Sequence, residues 1–203
     1  MGTRLADLEG LLDEASFSRD KVGASEADGL RGAVPENRAT GVKPVIMIAS
    51  ADFDGLEGRA LTTAYHEELR TRFPTDYDPA RGLPATARDL KSPSGLFLVA
   101  HDEGVPVGCG GLKMLDAATG EIKHMFVKPS HRGRGIGAQI LSALEDRARE
   151  YEFRRLVLDT SEYLTEAISL YRRSDYVESE AYNSNHYATH WFEKQLGAPQ
   201  PHP

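Results

Sequence analysis

Three glycines within five positions, Gly133, Gly135 and Gly137, are the feature that most constrains this chain. They join a strand-like segment, 121–127, to the clearest helical segment, 135–151. Closely spaced glycines allow the backbone to turn sharply and to approach a bulky ligand. The helix that starts here offers free N–H groups and the positive end of its dipole, both of which attract anions. The loop is therefore expected to bind a phosphate or pyrophosphate group.

Basic side chains around the glycines support this interpretation. Arg132 and Arg134 flank Gly133, and guanidinium groups offer paired donors suited to phosphate oxygens. Lys128 and His131 extend the basic patch in a chain whose formal net charge is −7. The patch therefore marks a docking place for a polyanion on an otherwise acidic protein.

Other loop types remain as alternatives. Gly133-x-Gly135-x-x-Ala138, with Asp159 about 20 residues later, also fits a dinucleotide-binding pattern. That pattern follows directly on a wholly buried strand, whereas here residues 128–132 intervene and the preceding strand is half polar. A phosphate loop of the NTPase type is excluded because the sequence has neither Gly-Lys-Ser nor Gly-Lys-Thr. A glycine turn with exposed arginines and no ligand is the structural alternative.

The periodicity of apolar residues predicts a mixed α/β (α+β) domain. The expected elements are strand 45–48, helix 56–73, strands 95–102, 105–115 and 121–127, helix 135–151, strand 155–160, helix 164–173, and strands 176–182 and 186–194. This order predicts a mostly antiparallel sheet, flanked by helices, with one parallel crossover.

The 203 residues suffice for one domain with a substantial core. Residues 1–43 are rich in small and charged side chains, which predicts a flexible or partly helical N-terminal arm. Leucines between Leu5 and Leu12 recur at helical spacing, so a short amphipathic helix could dock on the domain or on a second subunit. Residues 44–197 are expected to form the domain and residues 198–203 a C-terminal tail.

Charge and cysteine content exclude several classes of protein. Net acidity argues against nucleic-acid binding, and the absence of an apolar run of about 20 residues argues against a membrane protein. The single cysteine, Cys109, rules out an internal disulfide and indicates a reducing cytoplasm. We expect it to be a buried small side chain rather than a nucleophile. His186 and His190 lie in a strand-like stretch, too far apart to share an ion, so no metal is expected.

With these residues in view, the sequence resembles the GNAT superfamily of acetyl-CoA-dependent N-acetyltransferases over residues 45–196. The family motif is Arg or Gln, two residues, Gly, one residue, then Gly or Ala, and Arg132-Gly133-Arg134-Gly135-Ile136-Gly137 satisfies it. The preceding Met125-Phe126-Val127, the following Pro129 and a later segment, 167–172, also match. The resemblance implies a GNAT-like fold for the domain at 44–197, with a mixed, mostly antiparallel central sheet flanked by helices.

The resemblance also implies a cofactor site for acetyl-CoA. The implied binding residues are Phe126, Val127, Arg132, Gly133, Arg134, Gly135, Ile136 and Gly137. The amides of 132–137 would hold the pyrophosphate, and the strand around Phe126 and Val127 would pair with the pantetheine arm. One of these two backbone N–H groups would stabilise the oxyanion. The chain departs from many members at Leu164, where they carry Asn, and at Asp175, where they carry Gly.

Two residues are candidates for acid–base chemistry in acetyl transfer. Tyr171 is the candidate acid, since a phenol is protonated at neutral pH and can give a proton to a departing thiolate. Glu121 is the candidate base, at the position where several members hold one. The alternatives are a core tyrosine on an amphipathic helix and a solvated strand-end carboxylate facing Lys123.

The expected function is N-acetylation of a primary amine, on a small molecule or peptide, by direct transfer from acetyl-CoA. The acceptor pocket is expected to use Phe73, Asp76, Tyr77 and Asp78, together with Tyr182, Asn183 and Asn185 from the final strands. The alternative is a non-catalytic module that binds or senses acyl-CoA, since the glycine loop serves both. The resemblance further suggests a homodimer.

Overall fold

The computed structural model describes residues 45–197, and the expected N-terminal arm and C-terminal tail lie outside the described residues. The strands are β1 (Ile46–Ser50), β2 (Gly95–Asp102), β3 (Val105–Met114), β4 (Thr119–Val127), β5 (Arg155–Thr160), β6 (Val177–Glu178) and β7 (His190–Gln195). The helices are α1 (Leu56–Arg72), α2 (Ile136–Glu150) and α3 (Thr165–Arg173), with short 3-10 turns at Pro79–Gly82 and Pro129–His131.

The strands form a single sheet in the order β1-β2-β3-β4-β5-β7-β6. All neighbouring pairs are antiparallel except β4 and β5, which are parallel. The predicted mixed and mostly antiparallel architecture is therefore confirmed. The final strands are shorter than predicted, because residues 179–189 form a loop held by polar side chains instead of a ladder.

Helices cover both faces of the sheet. In α2, Ile136, Ile140, Leu144 and Ala148 follow the predicted spacing of four, and all are buried. They belong to a core that also contains side chains of α3 and β7. On the opposite face, Leu61 of α1 belongs to a second core, beneath which β2 and β3 contribute buried side chains. Each fully buried aliphatic side chain stabilises the fold by about 1.5–3 kcal/mol relative to its exposed state.

Parallel pairing between β4 and β5 is short. It starts at Thr119 with Arg155 and ends at Glu121 with Val157, although both strands continue. Beyond this point the two strands separate. A change of register between β3 and β4 accompanies the separation, and His124 there has a left-handed backbone with φ of 53°. The fold therefore has an opening in the middle of its sheet.

The end of α3 shows how the sequence adapts to a position that favours glycine. Asp175 takes a left-handed conformation, with φ of 64°, as its place after the helix predicts. The N–H of Tyr176 then donates to the carbonyl of Tyr171 at 3.1 Å and closes the helix end. Among residues 45–197, no helix has the combination of length and apolar character that spanning a membrane requires.

Candidate active site

The glycine loop lies between β4 and α2, as predicted. Gly133 and Gly135 have left-handed backbones, with φ of 75° and 78°, which L side chains adopt only with strain. A Cβ atom built at either glycine would meet no other atom within 4 Å, so the backbone there is openly accessible. No side chain caps the N-terminus of α2. Its first N–H groups are therefore available to an anion.

The two loop arginines are already paired with carboxylates. Arg132 forms an ion pair with Glu68 of α1, and its Nε donates to the Val127 carbonyl at 2.9 Å. Arg134 donates to Asp102 at 2.6 Å, and this hydrogen bond lowers the pKa of the Asp102 carboxyl. The basic patch expected from the sequence is thus partly neutralised. Backbone N–H groups at the start of α2 therefore remain as donors beside a partly neutralised patch.

A cavity of about 100 Å³ occupies the opening between β4 and β5. Residues 122–125 of β4 and residues 159–161 at the end of β5 form two of its sides. Helices α1 and α3 and the loops 79–85 and 185–188 complete the lining. The cavity therefore lies where the sheet lacks backbone pairing, against the part of β4 that precedes the glycine loop.

Tyr171 brings its side chain from α3 to this cavity. Its ring is buried and packs against Tyr176 and Phe192, with centroids 6.0 and 5.9 Å away. Burial, with a smaller effect of the Asp159 charge, raises the pKa of the Tyr171 phenol. The residue thus combines the two interpretations made from sequence: its ring belongs to the core and it faces the cavity as a protonated phenol.

Glu121 lies at the last parallel pair of β4, where its side chain is buried. Its Oε1 accepts a hydrogen bond from the Tyr182 hydroxyl at 2.9 Å and lies 3.0 Å from the Lys123 ammonium. Glu121 is not among the residues that line the cavity. It does face Lys123, as the sequence suggested, but in a buried network rather than in solvent.

Asp159 is the centre of that network, and sequence reasoning did not identify it as a site residue. Its carboxylate accepts hydrogen bonds from the amides of Asn183 and Asn185, both at 2.6 Å, and from Lys123 at 3.2 Å. Burial lowers the pKa of Lys123, but the nearby carboxylates outweigh burial and the net pKa is raised. Lys123 therefore stays charged. A polar residue at the end of an apolar strand was the signal for Asp159.

Aromatic side chains from α1, the residues that follow it and the loop 185–188 form one wall of the cavity. We call this the aromatic wall: Tyr65, His66, Phe73, Tyr77 and Tyr187. Phe73, Tyr77 and Asn185, which were expected in an acceptor pocket, line this cavity. The other residues predicted for that pocket, Asp76, Asp78, Tyr182 and Asn183, do not line it.

His124 lies in the bulge of β4 and was also missed by sequence reasoning. Both of its ring nitrogens are buried without a hydrogen-bond partner, and so is the Ser161 hydroxyl; both residues line the cavity. Burial lowers the pKa of His124 to about 4, so the ring is neutral at pH 7. Buried polar atoms without partners are costly, and here they face a space that a ligand could fill.

The cysteine and the two histidines considered in the sequence do not line the cavity. Cys109 is buried in β3, and burial raises the pKa of its thiol, in keeping with an inert side chain. His190 pairs with Glu178, and His186 lies 3.4 Å from Arg81. Within residues 45–197, no cluster of His, Cys, Asp and Glu side chains suits a metal ion.

Comparison with known proteins agrees with the geometry. Residues 60–176 match the model of a family described as "Acetyltransferase (GNAT) family". An IAA acetyltransferase from Azospirillum brasilense is 39% identical over 90 residues, which are 44% of this chain. The matched segment spans 59% of that relative's length.

Solved structures give the same fold. A structure from Klebsiella pneumoniae described as an acyl-CoA N-acyltransferase is 26% identical, with a TM-score of 0.60. The alignment covers 75% of this chain and 98% of the other. An acetyltransferase structure from Salmonella typhimurium, described with its cofactor acetyl-CoA, has a TM-score of 0.57 and 19% identity. This alignment covers 77% of this chain and 99% of the Salmonella chain.

Proposed function

Because the chain belongs to the GNAT acetyltransferase family, we propose that it transfers the acetyl group of acetyl-CoA directly to a primary amine. The acceptor amine belongs to a small molecule or a peptide. The observation that carries the proposal is the cavity between the separated strands β4 and β5, since β4 leads from this cavity into the glycine loop. Such an opening gives two substrates access to one point inside the sheet.

The residues around the loop fit acetyl-CoA. The open backbone of Gly133 and Gly135 and the uncapped N-terminus of α2 would receive the pyrophosphate. Ile136 and Gly137 supply the first helical N–H groups. Acetyl-CoA supplies an acetyl group activated as a thioester.

The pairing of β4 with β3 favours Val127 over Phe126 as the donor to the oxyanion. The Lys128 N–H donates to the Val107 carbonyl at 2.9 Å, toward β3. Since successive N–H groups alternate in direction along a strand, the Val127 N–H points away from β3, toward the opening. By the same alternation, the Phe126 N–H points toward β3. The Phe126 side chain is buried in the core beneath α1.

We assign the acid role to Tyr171, whose phenol is held protonated at the cavity. Tyr171→Phe should lower kcat at least tenfold and leave the Kd of acetyl-CoA within twofold, because the ring still packs against Phe192. Thiol release and calorimetry measure these two quantities. An unchanged kcat would refute the acid role.

We assign the base role to Glu121, which would take the ammonium proton of the acceptor through a water molecule. The carboxylate lies behind Lys123, which lines the cavity, and accepts a hydrogen bond from Tyr182. Glu121→Gln should lower the rate most at low pH, where the deprotonated amine is scarce. A pH profile identical in shape to that of the unmutated protein would remove Glu121 from the mechanism.

The decisive assay measures thiol release from acetyl-CoA with amino acids, polyamines, aminoglycosides and peptides as acceptors, with mass spectrometry of the products. Amine-dependent release and an N-acetylated product are expected. Acetyl-CoA binding without release for any amine would favour the alternative, a binding or sensing module. We further propose a cytoplasmic location, which a single buried cysteine favours, and a homodimer.

A further inference from the structure

The aromatic wall and the charges of the cavity together restrict what the acceptor can be. Building on the proposed acetyl transfer, we propose that the acceptor is an arylalkyl monoamine. Such a molecule has one primary amine on a flat aromatic body and carries neither a carboxylate nor a second amine.

The first observation is the arrangement of the rings. Tyr187 lies 4.9 Å from Tyr77 and 5.2 Å from Phe73 between ring centroids, the latter pair edge to face. The three rings come from different segments: Phe73 directly follows α1, and the other two belong to loops. The Tyr187 hydroxyl accepts a hydrogen bond from the Asp78 N–H at 2.8 Å, which ties the two loops together. Such a fixed wall suits stacked or edge-to-face contact with an aromatic ligand.

The size of the cavity limits how large the acceptor can be. Its volume is about 100 Å³. An apolar cavity of about 150 Å³ accepts a benzene molecule. This cavity is smaller, so it encloses only part of a small acceptor, and an aminoglycoside or a folded peptide segment is far too large for it.

Charge is the second observation. Among the described lining residues, Lys123 and Asp159 are the side chains with formal charge at neutral pH, because His66 and His124 have lowered pKa values. Lys123 pairs with Asp159 and with Glu121 behind it. The described lining has one carboxylate, Asp159, and this carboxylate is shared with Lys123, so a second substrate ammonium would lack a carboxylate partner there.

A substrate carboxylate would find no available cation on this lining. Lys123 is held between two carboxylates, at 3.0 and 3.2 Å. Arg70 lies outside the lining on the exposed side of α1, although its charge contributes to lowering the pKa of His66. Desolvating a carboxylate without a partner is costly, so amino acids should be poor acceptors.

The third observation concerns polar atoms that await a partner. The two ring nitrogens of His124 and the Ser161 hydroxyl are buried, unpaired and part of the lining. A neutral imidazole offers one donor and one acceptor. The His124 ring lies 5.9 Å from Tyr65 and 6.1 Å from His66, so the cavity has hydrogen-bonding capacity for the amine end of a ligand directly beside the aromatic wall.

The test compares matched acceptors with the full-length protein at saturating acetyl-CoA. 2-Phenylethylamine should show a kcat/KM at least tenfold above that of 2-cyclohexylethylamine, phenylalanine and putrescine. These comparators change, respectively, the aromaticity of the ring, the carboxylate and the number of amines. Equal or better turnover of any comparator would overturn this inference while leaving acetyl transfer intact. Binding of acetyl-CoA with no turnover of any amine would overturn both.

Variants of the aromatic wall give a second readout. Tyr77→Leu should raise KM for 2-phenylethylamine at least fivefold and leave the Kd of acetyl-CoA unchanged, and Tyr77→Phe should restore KM. Tyr163→Leu is the matched control, because its ring packs 5.4 Å from Phe73 but does not line the cavity. Equal effects of Tyr77→Leu and Tyr163→Leu would refute a role for the wall in acceptor binding.

Discussion

Replacing Asp159 by Asn tests whether the buried network holds the loop 179–189 in place beside the cavity. The carboxylate accepts two amide hydrogen bonds of 2.6 Å, from Asn183 to Oδ2 and from Asn185 to Oδ1. It also lies 3.2 Å from the Lys123 ammonium. An asparagine has one acceptor oxygen, so one of the two amides must face another donor. Lys123 would keep Glu121 as its remaining carboxylate partner.

The magnitude follows from these contacts. A lost hydrogen bond to a charged group costs about 1.5–3 kcal/mol, and the donor left buried without a partner adds to it. Because Lys123 retains one carboxylate, the larger penalty of about 3–5 kcal/mol for breaking a buried pair does not apply in full. We expect Asp159→Asn to lower the free energy of unfolding by about 2–4 kcal/mol. At about 2–4 °C per kcal/mol for a domain of this size, Tm should fall by roughly 4–16 °C.

Urea denaturation followed by tryptophan fluorescence suits this measurement. Trp191 is the only tryptophan of the chain, and its Nε1 donates to the Asn183 side chain at 3.0 Å, so it reports on the same loop. Asp146→Asn is the matched control, since Asp146 pairs with Arg149 on the exposed side of α2. That pair should contribute less than about 1 kcal/mol. If Asp159→Asn were no more destabilising than the control, the network would not support the loop as argued.

Two further predictions concern the glycine loop and the bulge. Gly135→Ala should lower stability by about 1–2 kcal/mol, because its φ of 78° strains any Cβ-bearing residue, and calorimetry should show at least tenfold weaker acetyl-CoA binding; unchanged binding would contradict the loop's role. His124 has a pKa of about 4 against an ordinary 6.5, so the unfolded chain binds the extra proton first. The contribution of neutral His124 to the free energy of unfolding is therefore complete above pH 6.5, and up to about 3 kcal/mol of it is lost as the pH drops to 4. Urea unfolding across this range should show a shallower pH dependence for His124→Asn, and equal slopes would refute the assignment.

Local features of this fold could be predicted from the sequence. Helix α2 was predicted from apolar residues spaced four positions apart, and the four that are buried all lie within its own 15 residues. The left-handed positions at Gly133 and Gly135 follow from residue type and from their place before a helix. The left-handed conformation of Asp175 likewise follows from its position after α3. In each case the determining interactions lie within a few residues of the chain.

Features that depend on register could not be predicted. The bulge at His124 shifts the pairing of β4 with β3 by one residue, and alternation along the strand gives no sign of where such a shift occurs. The same holds for the loop 179–189, which overlaps both predicted strands, 176–182 and 186–194. Its amide side chains bond to Asp159, more than 20 residues earlier. Glu121 was correctly located on β4, but its burial depends on Tyr182, 61 residues away.

The opening in the sheet is itself bridged by side chains. The last parallel pair joins Glu121 to Val157, so the next equivalent pair would join Lys123 to Asp159. There the backbones have separated, but the side chains meet at 3.2 Å. The ion pair thus continues the register after the backbone ladder has ended.

This bridge closes the opening on one face only. Leu156, Leu158 and Ile122 belong to the core shared with α2 and α3, so Lys123 and Asp159, which alternate with them, face the side of α1 and the aromatic wall. On the other face, Tyr171 and the N-terminal half of α3 meet the cavity without such a bridge. An anionic carrier bound at the N-terminus of α2 and an amine held against the aromatic wall would therefore approach the cavity from opposite sides. That arrangement would let both substrates be bound together, as the proposed direct transfer requires.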